Sequence, residues 1–395
     1  MELTKKQSQG LDIAVKRYLD KEGITVIGGY AGTGKSTLVK FIISALSSYG
    51  VDPETDVCFT SFTGKACQVL QKKGNKNVST LHKLLFDFKP MPNGKFLKIP
   101  KSTISYKVII VDEVSMAPMS LLEQLASHQN VYVIALGDPF QLPTINPIDD
   151  NHLLDRPDIF LDEVMRQAAE SEIIRLTMNI REYKDFESEF KNGKEIKIFN
   201  QSELNEGMLF WADQVICSTN NTRVTLNNEM RRLLGRGDKP ENGDKIICLR
   251  NYWETFSDSG SPLVNGTIGT LDRSFSTFTP IPYQYGGGTI LGVKGNFISD
   301  SNETYSDLFM DTEMILTGER CIDRKLEYRI SRSKYKGIIP LEFTYGYVIT
   351  GHKSQGSEWD KVLVREEGFP FKKVEHARWL YTAATRAAEK LVLVR

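Results

Sequence analysis

The chain is poor in the residues that build metal knuckles and disulfide frames. Its five cysteines, Cys58, Cys67, Cys217, Cys248 and Cys321, are scattered and odd in number. That excludes a paired framework and fits buried, reduced thiols in a cytosolic protein. Histidine is equally scarce at five residues, and His152 and His376 read as surface or loop positions rather than ligands. No apolar stretch approaches the roughly 20 residues of a membrane helix, and the opening MELTKKQSQG has no apolar signal core. Net charge is missing too, with 50 basic residues against 50 acidic ones, so the overall field attracts no polyanion. What remains is a soluble globular composition, 40% hydrophobic and 25% charged, in 395 residues. That length exceeds one ordinary core and implies two or three domains.

The zero net charge hides an uneven distribution. From Ser61 to Lys107 there are ten lysines and one acid, Asp87, while acids gather elsewhere, as at Asp300, Glu303, Asp307, Asp311 and Glu313. A local basic stripe is the footprint of a phosphate-backbone binder or a solvated lysine-rich face. Lys16, Arg17 and Lys21 read as a solvated helix face, and Trp211 and Trp379 as core.

The most specific feature is GYAGTGKS, Gly29 to Ser36. It follows the apolar run Ile24–Ile27 and precedes KSTLVKFIISAL, whose apolar residues recur at helical spacing. Strand, glycine-rich loop and helix are the context in which G-x-x-x-x-G-K-[ST] binds phosphates. The backbone N–H groups around Gly29, Ala31, Gly32, Thr33 and Gly34 wrap the phosphates, and the helix N-terminus at Lys35, Ser36 and Thr37 adds partial positive charge. Lys35 supplies a full charge, and the Ser36 hydroxyl is a ligand for Mg²⁺. The expected cofactors are ATP and Mg²⁺.

The strand-like run Val108–Val111 ends in Asp112 and Glu113. Hydrolysis needs both: Asp112 to hold Mg²⁺ through its water shell, Glu113 to polarise the attacking water. The next apolar run, Val131–Leu136, leads into Gly137-Asp-Pro-Phe-Gln141-Leu-Pro143, where the Gln141 amide is placed to sense the γ-phosphate. These runs and Val57–Thr60 predict an α/β parallel sheet. Residues 86–100 predict a small β-hairpin around Pro92-Asn93-Gly94. A second set of strands is expected at Asp213–Ser218, Lys245–Leu249, Tyr345–Thr350, Lys361–Val364 and Leu391–Val394. Residues 255–339, glycine-rich with short alternating segments, predict a small β-barrel-like insertion.

DEVSM and GDPFQLP behind GYAGTGKS resemble a superfamily 1 DNA helicase of the RecD and Dda type, the 5′-to-3′ branch, and further motifs follow in family order. Leu3-Thr-Lys-Lys-Gln7 resembles the Q motif, whose glutamine reads adenine. Thr60-Ser-Phe-Thr-Gly-Lys-Ala66 resembles motif Ia and Ser79-Thr-Leu-His82 the motif after it. The resemblance implies DNA contacts at Phe62, Thr63, Lys65, Thr80 and His82. Phe62 stands where the family usually has proline, and core packing and a base-facing role are both open. Leu161–Gln167 resembles motif IV, implying that Arg166 approaches the γ-phosphate. Tyr347–Glu358 resembles motif V, implying DNA contacts at Thr350, His352, Lys353 and Ser354 and nucleotide contacts at Gly356 and Glu358. Tyr381-Thr-Ala-Ala-Thr-Arg386-Ala resembles motif VI and implies that Arg386 is a second arginine finger.

The implied fold is two RecA-like parallel-sheet P-loop domains in tandem. The first spans 1–168, with a pin insertion at about 84–104. The second spans 169–254 and 340–395, interrupted by an SH3-like insertion at 255–339. For Phe88 and Phe96 in the hairpin, packing on the domain and stacking on a base are both open. The implied activity is ATP-dependent 5′-to-3′ translocation and duplex unwinding by a monomer in the cytoplasm of a bacterial or phage-infected cell. Expected partners are single-stranded DNA and duplex junctions, with a single-strand-binding protein or other replication and recombination proteins as candidates, and no membrane. Two rival readings are a RecD-like motor subunit of a larger complex and an ATP-switched nucleic-acid-binding factor that separates no strands.

Overall fold

The computed structural model describes residues 3–90, 96–143, 151–165, 170–368 and 372–395, with the backbone alone at 88–90, 96, 97 and 253. The chain divides into two compact units. The first comprises Met1–Phe86, Pro100–Ile216 and Ser354–Arg395. At its centre lies a sheet in the order Val78–Thr80, Val57–Ser61, Val108–Asp112, Tyr132–Gly137, Ile24–Gly29 and Ile159–Leu161. Every adjacent pair in it is parallel.

Alternation along these strands sorts their side chains to two faces. Ile27, Ile110 and Ile134 join Ala14, Leu38, Ile42 and Leu46 in one core. Val26, Ile109, Val111, Val133 and Ala135 join Leu81, Leu85, Leu121 and Leu125 in another. Strands apolar on both faces suit a sheet covered on both sides. Each fully buried Leu or Ile contributes about 1.5–3 kcal/mol. Arg17 departs from the expected solvated face: its guanidinium pairs with Asp158 at 2.6 Å and donates to the Ile24 carbonyl at 2.8 Å.

The same unit holds the parallel strands Gln214–Cys217 (as far as Ile216), Trp359–Arg365, Ala387–Val394 and Ile196–Phe199, side by side in that order. Against them runs the helix Lys373–Ala384, which buries Trp379, Leu380 and Tyr381. Trp379 is core as expected, whereas Trp211 is only half-buried.

The second unit comprises Asp87–Ile99 and Cys217–Lys353. Its sheet runs Thr304–Asp311, Thr289–Ser299, Ile268–Pro280, Lys245–Cys248 and Phe343–Tyr345, antiparallel throughout. Two expectations are corrected here. The strand at Lys245–Cys248 is antiparallel and belongs to this sheet, not to a parallel set. The expected strand Tyr345–Thr350 is two, Phe343–Tyr345 and Val348–Thr350. A four-residue apolar run reads alike in either kind of sheet, so only the partner decides.

The edge strands of this sheet are linked through Leu341, which accepts from Asp311 N–H at 2.9 Å and donates to the Phe309 carbonyl at 2.7 Å. Two helices, Thr312–Thr317 and Arg324–Ser331, also lie within the stretch expected to be β-rich. Gly292 is required by packing, because a Cβ there would lie 2.0 Å from the Phe309 ring.

Phe86–Pro90 and Phe96–Pro100 pair as a two-stranded sheet. Its turn, and the side chains of Phe88 and Phe96, lie outside the described residues. All five cysteines are free, four of them buried. Among the described residues no helix is long and apolar enough to cross a membrane.

Candidate active site

The strand Ile24–Gly29 runs into a loop that only glycine can trace. Gly32 and Gly34 have φ of 76° and 79°, a left-handed conformation that costs any other residue. A Cβ at Gly34 would also stand 2.4 Å from the Gln7 amide nitrogen. The helix Lys35–Ser47 then begins with free N–H groups at its first turn. Its start carries Ser36, which is exposed, and half-buried Thr37. The Lys35 ammonium lies across the loop, donating to the carbonyls of Gly29 at 2.7 Å and Tyr30 at 3.0 Å.

Gln7 is almost wholly buried beneath this loop. Its Nε2 donates to the Thr33 carbonyl at 3.1 Å, and its Oε1 accepts from Thr4 N–H at 3.0 Å in a capping box. In this fold, therefore, Gln7 braces the phosphate loop from behind. Thr33 is buried beside it, its hydroxyl donating to the Tyr30 carbonyl.

A cleft of about 670 Å³ opens beside the loop, lined among others by Ser36, Asp112, Glu113, Gly356, Glu358 and Arg386. The strand Val108–Asp112 delivers the acids. Asp112 Oδ1 accepts from Glu113 N–H at 3.0 Å. Glu113 itself adopts φ 51° and ψ 47°, a strained conformation for a residue with a side chain, costing about 1–3 kcal/mol. Burial pushes both carboxyls up from their ordinary range. For Asp112 the Glu113 N–H, Lys35 and Lys73 offset this in part, and for Glu113 the Arg386 guanidinium does.

Arg386 is 6% exposed and pinned on three sides. It donates to the Thr382 carbonyl, the Ser357 carbonyl and the Thr385 hydroxyl, each at 3.1 Å. That fixes its Nη1 at 3.6 Å from Glu113 Oε1. The other Glu113 oxygen, Oε2, is buried without a hydrogen-bond partner among the described residues, as is Gln141 Oε1. Buried polar atoms are normally paired, so the two orphaned acceptors mark places where a water can donate hydrogen bonds, and Glu113 is the one of the two that can take its proton. Gly356, at φ 72°, backs directly onto this group: a Cβ there would meet Ala66, Thr63 and Glu113 within 3.2 Å. Glu358 sits at the exposed rim, 3.5 Å from Lys73.

The donor set suits a magnesium ion. Ser36 and Asp112 line the same cleft and offer hard oxygens beside the phosphate loop, and Mg²⁺ needs few protein ligands when phosphates and water complete its shell. Bound there, it would neutralise developing charge on the phosphates.

Sequence reading missed the residues that tie these pieces together. Tyr381 donates to Asp138 Oδ2 at 2.5 Å and accepts the Ala31 N–H at 2.8 Å. Burial, and then the Asp138 carboxylate, push its hydroxyl well above the usual tyrosine range. Thr382 accepts from Leu142 N–H at 3.0 Å, and Gln355 donates to the Leu142 carbonyl at 2.7 Å. The 381–386 segment thus holds both the phosphate loop and the 137–143 turn. Polar residues inside an otherwise apolar helix were the available signal. Arg166 lies outside the described residues.

The expected DNA-contacting residues fall into two groups. In the first unit, Thr63 and Thr80 act as helix N-caps, accepting from Ala66 N–H and Lys83 N–H at 3.2 Å each. Lys65 follows Thr63 in the first turn of the helix Gly64–Lys72. Phe62, His82 and Phe86 form a row with centroids 5.7 and 6.4 Å apart, and Phe62 packs against the core. Thr350 ends a strand and leads into the short helix Gly351–Ser354, of which Lys353 is the last residue of the second unit and Ser354 belongs to the first. Lys353 donates to Asn265 at 2.8 Å, and burial lowers the pKa values of both His352 and Lys353. The basic stripe is partly consumed by local pairs, Lys76 with Glu54 and Lys107 with Asp56.

The chain matches the family model described as an AAA domain over residues 2–196 and that of a UvrD-like helicase C-terminal domain over residues 345–394. It is 26% identical to the ATP-dependent DNA helicase dda of Enterobacteria phage T4, over 66% of this chain and 64% of that protein. It is 26% identical to the ATP-dependent RecD2 DNA helicase of Deinococcus radiodurans over 98% of this chain, spanning 49% of that protein. A solved structure of Pif1 helicase from Bacteroides with ADP-AlF3 and ssDNA shares the fold at a TM-score of 0.53 and 17% identity, over 100% of this chain and 92% of that one.

Proposed function

The chain belongs to the superfamily 1 helicases of the RecD, Dda and Pif1 type, and from that premise we propose an ATP-driven motor that moves 5′ to 3′ along single-stranded DNA and opens duplexes. One observation carries the hydrolytic half of this reading: an orphaned Glu113 oxygen beside a cation held rigidly at 3.6 Å, in one cleft with the phosphate loop. A nucleotide switch that never turns over has no use for such a set.

In this reading the loop from Gly29 to Thr37 binds the phosphates and Lys35 leaves the backbone carbonyls for the outer phosphate. Glu113 takes the proton of the attacking water while Gln141 orients it. Arg386, joined by Arg166, stabilises charge that grows on the transferred phosphoryl group. Ser36 and Asp112 hold Mg²⁺. Gln7 sits on the adenine side, with Gly356 and Glu358 at the nucleotide's other flank. The single-stranded track is assigned to Phe62, Thr63, Lys65, Thr80 and His82 and to Thr350, His352, Lys353 and Ser354, where sequence-independent contacts suit a motor that must not stall. The 84–104 segment is assigned as the pin at the junction, and the antiparallel sheet as the SH3-like insertion. The setting is the cytoplasm of a bacterial or phage-infected cell.

The deciding experiment compares 5′-tailed, 3′-tailed and blunt duplexes, with ATP turnover measured with and without an oligonucleotide. Opening of the 5′-tailed duplex alone, with DNA-stimulated turnover, is expected. Turnover without strand separation on any substrate would favour the switch or subunit readings.

A further inference from the structure

We infer that a second groove on the first unit, ringed by lysines, is a docking site for an acidic peptide segment that carries an apolar side chain. The groove has a volume of about 480 Å³ and shares no lining residue with the nucleotide cleft. Its walls include Met208 and Trp211 of the helix Glu206–Trp211, Leu391 and Val392 of the strand Ala387–Val394, and Phe199 of the sheet-edge strand Ile196–Phe199. This is where Trp211, expected in the core, is spent.

Four exposed lysines surround this apolar lining: Lys194, Lys197, Lys361 and Lys390. Lys361 and Lys390 are register partners on neighbouring strands, and like charges placed opposite one another destabilise a sheet. Lys390 donates to the Lys194 carbonyl at 2.8 Å; among the described residues none of the four is paired with a carboxylate. The one acid in the lining, Glu195, is occupied elsewhere: its Oε2 accepts from the Ser171 hydroxyl at 2.7 Å and from Ile173 N–H at 3.3 Å. Four lysines against the single Glu195 carboxylate leave the lining net positive, and although solvent screens exposed charges, a positive rim favours an acidic partner.

A nucleic-acid strand would also answer the charge and could stack on Trp211 or Phe199, and competition between peptide and oligonucleotide separates the two. Reading base edges would in addition need hydrogen-bond partners. The groove's one neutral polar side chain, Asn205, is already spent as a helix cap, accepting from Met208 N–H and donating to the Glu203 carbonyl, both at 3.1 Å. Methionine, leucine, valine and aromatic walls instead accept an apolar side chain, with carboxylates on the same segment reaching the lysines.

The test uses the full chain and a fluorescein-labelled hexapeptide, Glu-Asp-Glu-Asp-Leu-Phe, followed by anisotropy. Saturable binding below about 1 mM is expected. Changing the peptide's Leu-Phe to Ala-Ala, or the protein's Lys361→Glu with Lys390→Glu, should weaken it about tenfold or more. Both lysines are exposed, and unchanged ATP turnover verifies that the double variant is folded. An unlabelled oligothymidylate 12-mer should leave the peptide bound. Absence of saturation, or binding indifferent to the double variant, overturns the proposal. So does displacement by the oligonucleotide, together with loss of oligonucleotide binding in that variant, which would make the groove a nucleic-acid surface. The outcomes leave the nucleotide-cleft assignment untouched, since the groove shares no residue with it, and only the oligonucleotide outcome would move the proposed DNA track.

Discussion

Both compact units bury charge, but they treat it in opposite ways. In the second unit Arg231 and Asp244 form a closed network. Arg231 donates to Asp244 Oδ1 at 3.1 Å and to the Lys239 carbonyl at 2.6 Å, and its guanidinium lies 4.5 Å over the Tyr345 ring. Asp244 also accepts from the Tyr347 hydroxyl at 2.9 Å and Glu241 N–H at 2.8 Å. In the first unit, Glu113 and Gln141 each keep a buried oxygen unmatched, and Glu113 is held in a strained backbone conformation. Unmatched atoms occur in the second unit too, at the Tyr345 hydroxyl and Arg236 Nε, so what points to chemistry is the place of the Glu113 and Gln141 oxygens beside a phosphate loop, whereas Arg231 and Asp244 answer each other as scaffold.

The contrast is sharpest for Lys35. Lys35→Ala should abolish ATP turnover while single-stranded DNA binding persists. Its two carbonyl bonds contribute only about 0.5–1.5 kcal/mol each to stability, so melting should move little. Retained DNA-stimulated turnover would remove the phosphate-loop assignment.

Arg386 belongs to both worlds, since it is pinned by three hydrogen bonds and also faces Glu113. Truncation to alanine would mix lost chemistry with lost structure. Arg386→Lys keeps the charge but not the planar fork, and it should still cost about 10³-fold or more in turnover, the scale of a lost arginine finger. Nucleotide affinity should change far less. Near-normal turnover would make the arginine a structural tie.

Arg231→Met tests the scaffold side. It leaves Asp244 buried with less compensation, a change typically worth about 3–5 kcal/mol. Turnover per folded molecule at low temperature should be preserved. A specific loss of turnover with unchanged melting would break the distinction between the two networks.

How much of this was legible in the sequence follows the same division. The phosphate loop and the Asp112-Glu113 pair were readable because their chemistry demands fixed residue types at short spacing, whereas Arg386 was reached only through the resemblance of its segment to a family motif. The parallel strands were readable because they are apolar on both faces. The partner of a strand was not, and Lys245–Cys248 was therefore given to the wrong sheet. Nor was the use of individual polar residues, whether the partner lies three residues on or far along the chain. Thr63 and Thr80 turned out to be caps, Gln7 a brace under Thr33, and Tyr381 a link between Ala31 and Asp138. Caps and braces leave weak local patterns because a threonine or glutamine is common in any loop.

The smallest expected effect is on stability, from Glu113→Gln, and its sign separates the two kinds of network. Burial raises the Glu113 carboxyl, and the nearby Asp112 charge adds to this, against the opposing pull of Arg386. A carboxyl with a folded pKa above its unfolded one, near 4.3 in a peptide, binds its proton better in the fold. The native state then holds more protons than the unfolded chain, so stability falls as pH rises from about 4.3 through the raised value. Gln removes that cost while keeping the shape. The variant should therefore melt higher than the parent at pH 8, by about 2–4 °C for each kcal/mol relieved, and the gap should close toward pH 4 as the parent's carboxyl takes up its proton. Turnover should be lost at every pH. If Glu113→Gln instead melts lower at pH 8, the Arg386 pair outweighs burial, and Glu113 is held as tightly as Asp244 rather than poised.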